Sequence, residues 1–316
     1  MYREQIKVLD CTIRDGGLVN AHDFSVEFVR RVYQGVSAAG VDYFEIGYKN
    51  SPEFFPGAKF GPWKCCKDED IRKATQGVEN GAKISVMVDV GRVDMDAILP
   101  ASKSPFQMVR VASYVKGIDK AIAMENRFSD LGYETTINIM AISRDAGPEL
   151  DEAMDQCETQ SRAMAVYLVD SFGSLDQEDI ERLVHRARRF VKTKELGFHG
   201  HNNQQLAFSN TIESIIHGVN FLDATVYGMG RAAGNCTLEL LLGFLKNPRY
   251  DVRSVLDLIA DEFIELRGRH EWGYIIPHMI AGQLGLHPQD ALDLRKTPER
   301  DDYRAFHDRM TSLLSQ

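Results

Sequence analysis

The chain has 316 residues, of which 44% are hydrophobic and 26% are charged, and its formal net charge is −9. It is long enough for one large domain or two ordinary ones, and its acidic balance argues against nucleic acid as a partner. No segment reaches the roughly 18 consecutive apolar residues of a membrane span, and residues 1–5, which include Arg3 and Glu4, are not typical of a signal peptide. Five cysteines without a Cys-x-x-Cys pair indicate a reduced, cytoplasmic protein.

Short apolar segments alternate with longer amphipathic ones along most of the chain. The first helical pattern has Ser25 as a suitable N-cap, apolar residues at helical spacing from Val26 to Ala39, and Gly40 as its end. In chain order, the patterns predict strand 6–10, helix 25–40, strands 41–47, 83–88 and 106–112, helix 116–131, strand 134–141, helix 148–162, strand 165–170, helix 175–191, a strand ending at His199, helix 204–217, strand 219–226 and a helix over 236–245.

Eight strands, mostly separated by helices, predict a parallel sheet. The number of units and their length, about 245 residues, match a (β/α)8 TIM barrel, and an open doubly wound sheet is the alternative. We assign residues 1–248 to a TIM-barrel catalytic domain. Residues 249–316 are expected to form a helical C-terminal extension, with helices at 252–267, 276–284 and 301–314.

Polar residues gather at the predicted strand ends. The first strand leads to Arg14 and Asp15, the second ends at Glu45, and the eighth leads to a glycine-rich stretch before Asn235. In a barrel these separate segments meet at one mouth, where chemistry is expected. A turn or a helix cap explains any one of these residues equally well, so the expectation depends on all of them together.

Strand seven ends in His199, Gly200 and His201. Side chains at positions i and i+2 of a strand face the same side, so the two imidazoles would converge on one point. Converging imidazoles form half of a metal site, and a pair of hydrogen-bonded surface histidines near a turn is the alternative.

Three glycines, Gly228, Gly230 and Gly234, follow the eighth strand, but their spacing differs from that of a dinucleotide-binding loop. We expect them to let the backbone turn tightly and to place Asn235. Because barrels often bind phosphate after strands seven and eight, a phosphorylated or CoA-bearing substrate is one possibility.

Together these motifs resemble the signatures of the DRE-TIM metallolyases, the superfamily of hydroxymethylglutaryl-CoA lyase, 4-hydroxy-2-oxovalerate aldolase, and isopropylmalate and homocitrate synthases. The resemblance is carried by Ile-Arg-Asp-Gly-Gly at 13–17, Glu45, His-Gly-His-Asn at 199–202 and Gly-Asn at 234–235, and it spans residues 10 to about 245. The Arg-Asp-Gly-Gly form is similar to that of a group described only as candidate aldolases.

The resemblance implies a role for each matching residue. Asp15, His199 and His201 match the divalent-metal ligands. Asn235 matches an asparagine that coordinates the metal or closely supports it. Arg14 matches an arginine that stabilises enolate charge, and Glu45 matches a glutamate that orders water and the arginine. Such a mixed oxygen and nitrogen site favours Mn²⁺, with Mg²⁺, Co²⁺ or Zn²⁺ as alternatives. Iron(II) in a two-histidine, one-carboxylate site is the other inorganic alternative.

Within the superfamily, the Asp-Ser-x-Gly stretch that begins at Asp170 is similar to the aldolase branch. Ser171 would then hydrogen-bond a substrate carboxylate, with Asp170 beside it as the second substrate-binding residue, and a serine at the start of a helix is the alternative. Related aldolases have a catalytic histidine three residues after the metal aspartate, where this chain has Leu18. His22 is the nearby candidate for the general base, and Tyr274 loosely matches an aldolase tyrosine near the substrate.

We therefore expect a carbon–carbon lyase, a divalent-metal-dependent aldolase that cleaves or forms a bond of a 4-hydroxy-2-oxo acid through a metal-bound pyruvate-type enolate. One alternative is a Claisen-type acyl-CoA lyase or synthase, and another is a non-catalytic metal-binding barrel that acts as a partner subunit. We expect a homodimer that uses the helical extension. Related aldolases meet an aldehyde dehydrogenase partner through this region, but the extension here is too divergent to support that partner.

Overall fold

The computed structural model describes residues 3–55, 59–145 and 147–314. Eight parallel strands pair in sequential order, and the last pairs with the first to close a barrel. The strands are β1 (Lys7–Asp10), β2 (Tyr43–Tyr48), β3 (Lys83–Asp89), β4 (Met108–Ser113), β5 (Glu134–Ile139), β6 (Ala165–Asp170), β7 (Glu195–Gly200) and β8 (Phe221–Ala224). The predicted (β/α)8 barrel is confirmed, and the open sheet is wrong.

Helices surround this barrel. They are α1 (Thr12–Gly16), α2 (Val26–Ala38), α3 (Asp68–Thr75), α4 (Ile118–Asp130), α5 (Pro148–Gln160), α6 (Gln177–Ala187), α7 (Ala207–Ile216) and α8 (Leu238–Leu245). Two of them, α1 and α3, were not predicted. Helix α3 buries only Ile71 and Ala74, so it lacks the broad apolar stripe by which the other helices were predicted.

Alternate residues of each strand face either the helices or the barrel interior. In β4, Val109 and Val111 belong to the large apolar core that includes the surrounding helices. Met108, at the start of the same strand, belongs to a smaller apolar cluster with Tyr43 and Phe221, which occupy the starts of β2 and β8. The amino-terminal end of the barrel interior is therefore filled by apolar side chains.

Two residues further along these strands, the interior becomes charged. Glu45, Arg110 and Asp223 follow Tyr43, Met108 and Phe221 at a spacing of two, so they face the same side of the sheet. All three are at most 1% exposed. A layer of charged side chains therefore lies between the apolar layer and the carboxyl ends of the strands.

The C-terminal extension is helical, as expected. It contains α9 (Val252–Leu258), a π-helical segment (Ile259–Phe263), α10 (Ile264–Arg269), α11 (Ile276–Gln283), α12 (Gln289–Leu294) and α13 (Tyr303–Leu314). Its buried apolar residues as far as Trp272 belong to the core shared with the barrel. Later residues, including Ile280 and Phe306, form a cluster of their own, so the packing changes after Trp272 rather than at residue 248.

Among the described residues, none of the helices combines the length and the apolar character that crossing a membrane requires.

Candidate active site

A short helix follows β1 directly and carries two charged residues to the mouth of the barrel. The turn into α1 is held by Asp10, whose Oδ1 accepts the Thr12 N–H (3.1 Å) and whose Oδ2 accepts the Thr12 hydroxyl (2.6 Å). Arg14 and Asp15 follow within one turn, and both are buried. This helix therefore fixes the direction in which the Arg-Asp pair leaves the backbone.

Three of the predicted metal ligands converge. The ligand atoms of Asp15, His199 and His201 all lie within 4.8 Å of one another, and His199 Nε2 is 3.5 Å from Asp15 Oδ2. The two imidazole centroids are 5.2 Å apart. Because the three side chains also line one cavity, a cation bound between them would face the space available to a substrate.

Two buried polar atoms at this cluster lack a hydrogen-bond partner within the described residues, His199 Nε2 and Asn235 Oδ1. His199 Nδ1 lies 2.8 Å from the carboxylate of Asp223, so Nδ1 carries the proton and Nε2 presents a lone pair. A buried acceptor without a partner is unfavourable, and a bound cation would satisfy it. The residues present therefore fit a divalent metal ion.

Asn235 is held beside Asp15 by the glycine-rich turn. Its Nδ2 donates to Asp15 Oδ1 (3.1 Å). A Cβ atom at Gly230 would lie 2.2 Å from Asn235 Nδ2, and one at Gly234 would lie 2.0 Å from the carbonyl oxygen of Gly228. Only glycine fits at these two positions, and in this conformation Asn235 supports Asp15 through its amide N–H.

The charges of the predicted ligands suit metal binding. Burial would raise the pKa of Asp15, but Arg14 and the two imidazoles hold it well below its usual range. Burial lowers the pKa of His201 to about 3. Burial also lowers the pKa of His199, but the neighbouring carboxylates of Asp15 and Asp223 raise it above its ordinary value. A proton therefore competes with a metal ion at His199, and metal affinity should fall as the pH falls.

Two carboxylates hold the guanidinium of Arg14 in place. Its Nε donates to Glu45 Oε2 at 2.6 Å, and its Nη1 donates to Asp15 Oδ2. Burial would lower the pKa of Arg14, but the two carboxylates hold it well above its ordinary value. The guanidinium therefore stays charged and has a fixed orientation at the cavity that it lines.

Further ion pairs lie beneath the cavity and connect Glu45 with His199, one of the predicted metal ligands. Arg110 Nη1 lies 3.1 Å from Glu45 Oε2, and Arg110 Nη2 donates to Asp223 Oδ2 at 2.7 Å. Asp223 in turn holds His199. We call these five connected residues the charge ring: Arg14, Asp15, Glu45, Arg110 and Asp223. Its three carboxylates and two guanidiniums leave one excess negative charge. A divalent cation would make the excess charge positive and would attract an anionic substrate.

Arg110 and Asp223 were not predicted as site residues. The sequence contains a signal for them, because Val-Arg-Val at 109–111 and Leu-Asp-Ala at 222–224 place a charge inside otherwise apolar predicted strands. A charged residue is almost never fully buried unless it is paired. Two opposite charges in buried strands therefore indicate an internal ion pair, although the sequence does not say that they meet.

We expect Asp223→Asn to weaken divalent-metal binding by about 10- to 100-fold, because Asp223 fixes the proton on His199 Nδ1 and raises the basicity of Nε2. Titration of metal-free protein with Mn²⁺ would measure this. Asp42→Asn is a matched control, since Asp42 pairs with Lys7 and Arg249 at the opposite end of the barrel. Equal metal affinity in the wild type and Asp223→Asn would contradict the assigned role.

The cavity above the charge ring has a volume of about 110 Å³. Its wall includes Arg14 and three of the four predicted ligands, but also Tyr48, Tyr114 and Arg231 from strand ends and loops. His287 completes the wall from the C-terminal extension. A space of this size suits a small organic acid, since sites for drug-sized ligands measure roughly 300 Å³ or more.

Ser171 and Asp170 occupy different positions relative to this cavity. Ser171 lines it, and its Oγ accepts the N–H of Ala141 at 2.8 Å. Asp170 is fully buried, and its two carboxylate oxygens accept the N–H groups of Ser174 and Leu175 at 3.2 Å. Ser171 can therefore contact a ligand, whereas Asp170 anchors the loop that carries it.

His22 and Tyr274, the two residues predicted to transfer protons, lie outside the wall of the cavity. His22 is buried behind it with its ring edge-on to Tyr48, the centroids 5.4 Å apart, while Leu18 lines the cavity itself. Burial lowers the pKa of His22 to about 3. Tyr274 is 56% exposed in a surface hollow formed by residues 267–275, so the fold does not bring it to the predicted ligands.

Residues 5–261 match the sequence profile of the HMGL-like family. The chain belongs to the HMGL-like family. The resemblance to the DRE-TIM metallolyases, which was predicted from Arg-Asp-Gly-Gly and His-Gly-His-Asn, is thereby confirmed.

Curated relatives of this HMGL-like protein are enzymes that act on 2-oxo acids. An oxaloacetate decarboxylase from Mycobacterium tuberculosis is 30% identical over 295 residues, which is 93% of this chain and 85% of the relative. A 4-hydroxy-2-oxovalerate aldolase from Carboxydothermus hydrogenoformans is 29% identical over 266 residues, which is 83% of this chain and 77% of the relative. The expectation of an enzyme of the lyase type is confirmed by this family and these relatives.

Solved structures give the same fold. The N-terminal domain of a candidate aldolase from Bacteroides vulgatus superimposes with a TM-score of 0.79 at 27% identity, and the match covers 95% of this chain and all of that one. The hydroxymethylglutaryl-CoA lyase from Brucella melitensis superimposes with a TM-score of 0.69 at 15% identity, over 84% of this chain and all of that one. At that identity the second comparison shows a shared fold alone.

Proposed function

We propose that this HMGL-like protein is a divalent-metal-dependent aldolase that cleaves, or in reverse forms, the C3–C4 bond of a 4-hydroxy-2-oxo acid. The proposal depends above all on Arg14, which contacts Asp15 at a cavity that His199 and His201 also line. A fixed cation beside a metal half-site suits a reaction in which negative charge develops on an oxygen. The relatives named 4-hydroxy-2-oxovalerate aldolase support this choice.

Asp15, His199 and His201 would hold the ion, and Asn235 would support Asp15. A site of carboxylate and imidazole ligands without thiolate is compatible with Mn²⁺, which we propose as the working metal. When bound, the ion supplies a Lewis acid for the carbonyl oxygen of the 2-oxo acid.

Arg14 would stabilise the oxyanion of the pyruvate-type enolate. As the C3–C4 bond breaks, its electron pair moves to C3 and is shared with the C2 oxygen, while C4 becomes an aldehyde. Glu45 holds Arg14 through Nε and is itself fully buried, so the guanidinium is oriented before the substrate arrives. Groups that need no reorientation stabilise developing charge most effectively.

The acceptor of the 4-hydroxyl proton stays a prediction. His22 has a neutral imidazole at neutral pH and packs against Tyr48, which lines the cavity, whereas Tyr274 lies at the surface. Comparing His22→Gln with Tyr274→Phe at equal metal content would separate the two. Positioned acid–base groups contribute about 10²–10⁴-fold in rate, so a loss of at least tenfold in only one variant would identify it.

A pyruvate-release panel tests the proposed function. Mn²⁺-loaded protein would be incubated with 4-hydroxy-2-oxovalerate and with longer 4-hydroxy-2-oxo acids, and pyruvate would be measured against metal-stripped protein. We expect metal-dependent release from at least one of these acids. Free thiol released from acetyl-CoA with an oxo acid, without any pyruvate release, would instead favour Claisen chemistry, and turnover in neither assay would favour a non-catalytic barrel.

Oxaloacetate decarboxylation is a second candidate, because the relative that bears this name is aligned over 93% of the chain. It would use the same residues: the C3–C4 bond breaks, its electron pair moves to C3, and carbon dioxide leaves in place of an aldehyde. Carbon dioxide release from oxaloacetate above the metal-only rate, with no cleavage of hydroxy-oxo acids, would favour it over the aldolase.

We further propose a cytoplasmic homodimer that assembles through the C-terminal extension. The five cysteines are all free thiols, as in reducing compartments. Leu313 and Leu314 are 51% and 54% exposed on α13, and contiguous exposed apolar residues commonly mark an interface. We expect the double change of Leu313 and Leu314 to aspartate to halve the mass measured by light scattering. Leu240→Asp, at an equally exposed leucine of α8, should leave it unchanged, and a dimer in both would contradict this interface.

A further inference from the structure

Arg231 lies in the loop between β8 and α8 and lines the same cavity as Arg14. Its Nη2 donates to the backbone carbonyl oxygen of Ser171 at 3.0 Å, which ties it to the loop after β6. Its Nε is buried and has no hydrogen-bond partner in the parts of the chain that the structure describes. The guanidinium is thus anchored at one end and has an unsatisfied donor at the other.

The three arginines around this site differ in how their charge is balanced. Arg14 pairs with Asp15 and Glu45, and Arg110 pairs with Glu45 and Asp223. Among the described residues no carboxylate forms an ion pair with Arg231, whose pKa burial lowers. Asp15, which lies beyond ion-pair distance, only partly offsets the cost of burying this cation, and an arginine fork matches the geometry of a carboxylate or phosphate.

Two further donors border the cavity with Arg231. Tyr114 follows β4 and is 57% exposed. His287 comes from the C-terminal extension and packs against Phe172 with a centroid separation of 5.8 Å. Its Nδ1 accepts the N–H of Gln289 at 3.1 Å, so the neutral ring carries its proton on Nε2. The cavity therefore combines a guanidinium, an imidazole N–H and a phenol, and Asp15 is the one acid among its described lining residues.

We propose that Arg231 and His287 form a second anion-binding subsite, which receives a carboxylate at the end of the substrate remote from its 2-oxo acid group. This inference rests on the proposed function and narrows it. The 2-oxo acid end belongs at the metal half-site and Arg14, so the aldehyde half of the substrate bears the second carboxylate. A substrate that ends in a methyl group would leave Arg231 unpaired.

The chemistry of such a substrate balances without another reactant. The C3–C4 bond breaks with its electron pair moving to C3, the 4-hydroxyl proton passes to a base, and C3 takes up a proton, so the products are pyruvate and an aldehyde that keeps its carboxylate. Because this carboxylate survives the reaction, Arg231 can hold it throughout. Decarboxylation would destroy the charge of the carboxylate that leaves, so pairing that group with Arg231 would stabilise the reactant and oppose the reaction.

A matched pair of probes tests the subsite by direct binding. 2-Oxoglutarate and 2-oxovalerate have the same length and the same 2-oxo acid end, and they differ only in a terminal carboxylate against a methyl group. Calorimetry on Mn²⁺-loaded and on metal-free protein should show at least tenfold tighter binding of 2-oxoglutarate in both, since charge-assisted hydrogen bonds commonly contribute tenfold or more. Equal affinity for the two probes would overturn the proposal.

Three variants complete the test. Arg231→Gln should remove the preference for 2-oxoglutarate while changing the affinity for 2-oxovalerate less than about threefold, and Arg231→Lys should keep part of the preference. Arg189→Gln, which removes the same charge at an exposed residue after α6, should behave like the wild type. If Arg231→Gln weakened both probes equally, Arg231 would have only a structural role and the subsite would be wrong.

The source of the anion and the validity of the proposed function are tested separately. Displacement of 2-oxoglutarate by inorganic phosphate at lower concentration than by acetate would keep the subsite and assign its anion as a phosphate. A preference for 2-oxoglutarate that depends on Arg231, with no carbon–carbon cleavage of 4-hydroxy-2-oxovalerate or of a 4-hydroxy-2-oxo acid that carries the second carboxylate, would keep the subsite and reject the aldolase. Pyruvate release together with equal affinities for 2-oxoglutarate and 2-oxovalerate would keep the aldolase and reject the subsite.

Discussion

Changing both His199 and His201 to alanine should abolish divalent-metal binding and carbon–carbon lyase activity together. The double change leaves Asp15 as the remaining member of the three-residue cluster, and a single carboxylate does not retain Mn²⁺ against chelators. Metal analysis of purified protein should fall from about one ion per chain to none. The loss should persist when Mn²⁺ is added back in slight excess.

A second pair of histidines provides the control. His185 and His217 have ring centroids 4.7 Å apart and, with Glu181, form another cluster whose side chains are arranged for a metal. It lies on the helices rather than at the mouth of the barrel, so changing these two histidines to alanine should leave activity and tightly bound metal intact. If the metal were lost after the change of His185 and His217 but kept after the change of His199 and His201, the metal site would lie among the surface helices instead.

Arg14→Ala should retain the metal and the fold but lose about 10²–10³ in turnover, the amount that a positioned donor at a developing oxyanion contributes. The affinity for a 2-oxo acid should change less than turnover, because the charge that Arg14 stabilises grows along the reaction. Single-turnover measurement of pyruvate release would separate these two effects.

Arg14→Lys tests whether charge alone is sufficient. A lysine keeps the positive charge, but its ammonium cannot reproduce the two directions in which Arg14 contacts Glu45 and Asp15. We expect it to recover only a small part of the lost rate. Near-wild-type turnover in Arg14→Ala, at equal metal content and thermal stability, would make Arg14 a structural residue and reject the enolate mechanism.

The barrel and the convergence of His199 and His201 could be predicted from sequence because both depend on local patterns. Apolar strands of four to seven residues followed by helices specify parallel pairing, and two histidines spaced by one residue on a strand converge wherever the strand lies. The position of Asn235 also followed, because glycines mark where the backbone must turn closely around a polar side chain.

The remaining parts of the site depend on contacts between residues distant in sequence. Arg110 contacts Glu45 and Asp223 across the barrel interior. The sequence of a single strand does not indicate which charged residue its own charged residue will face. His22 shows the opposite case: it follows Asp15 by only seven positions, but it is buried against Tyr48, outside the wall of the cavity. His287, far from the motifs, reaches the cavity because the extension folds back over the barrel mouth.

The charge ring also has a consequence for how the protein responds to temperature and solvent. Its ions are enclosed by the barrel wall and rest on apolar side chains, so water cannot rotate to screen them as it does around surface ions. The field at the cavity is therefore established when the chain folds and not when a ligand binds. We expect its dependence on ionic strength to be small, and on heating at constant pH and metal content the enzyme should lose turnover only where the barrel itself begins to open.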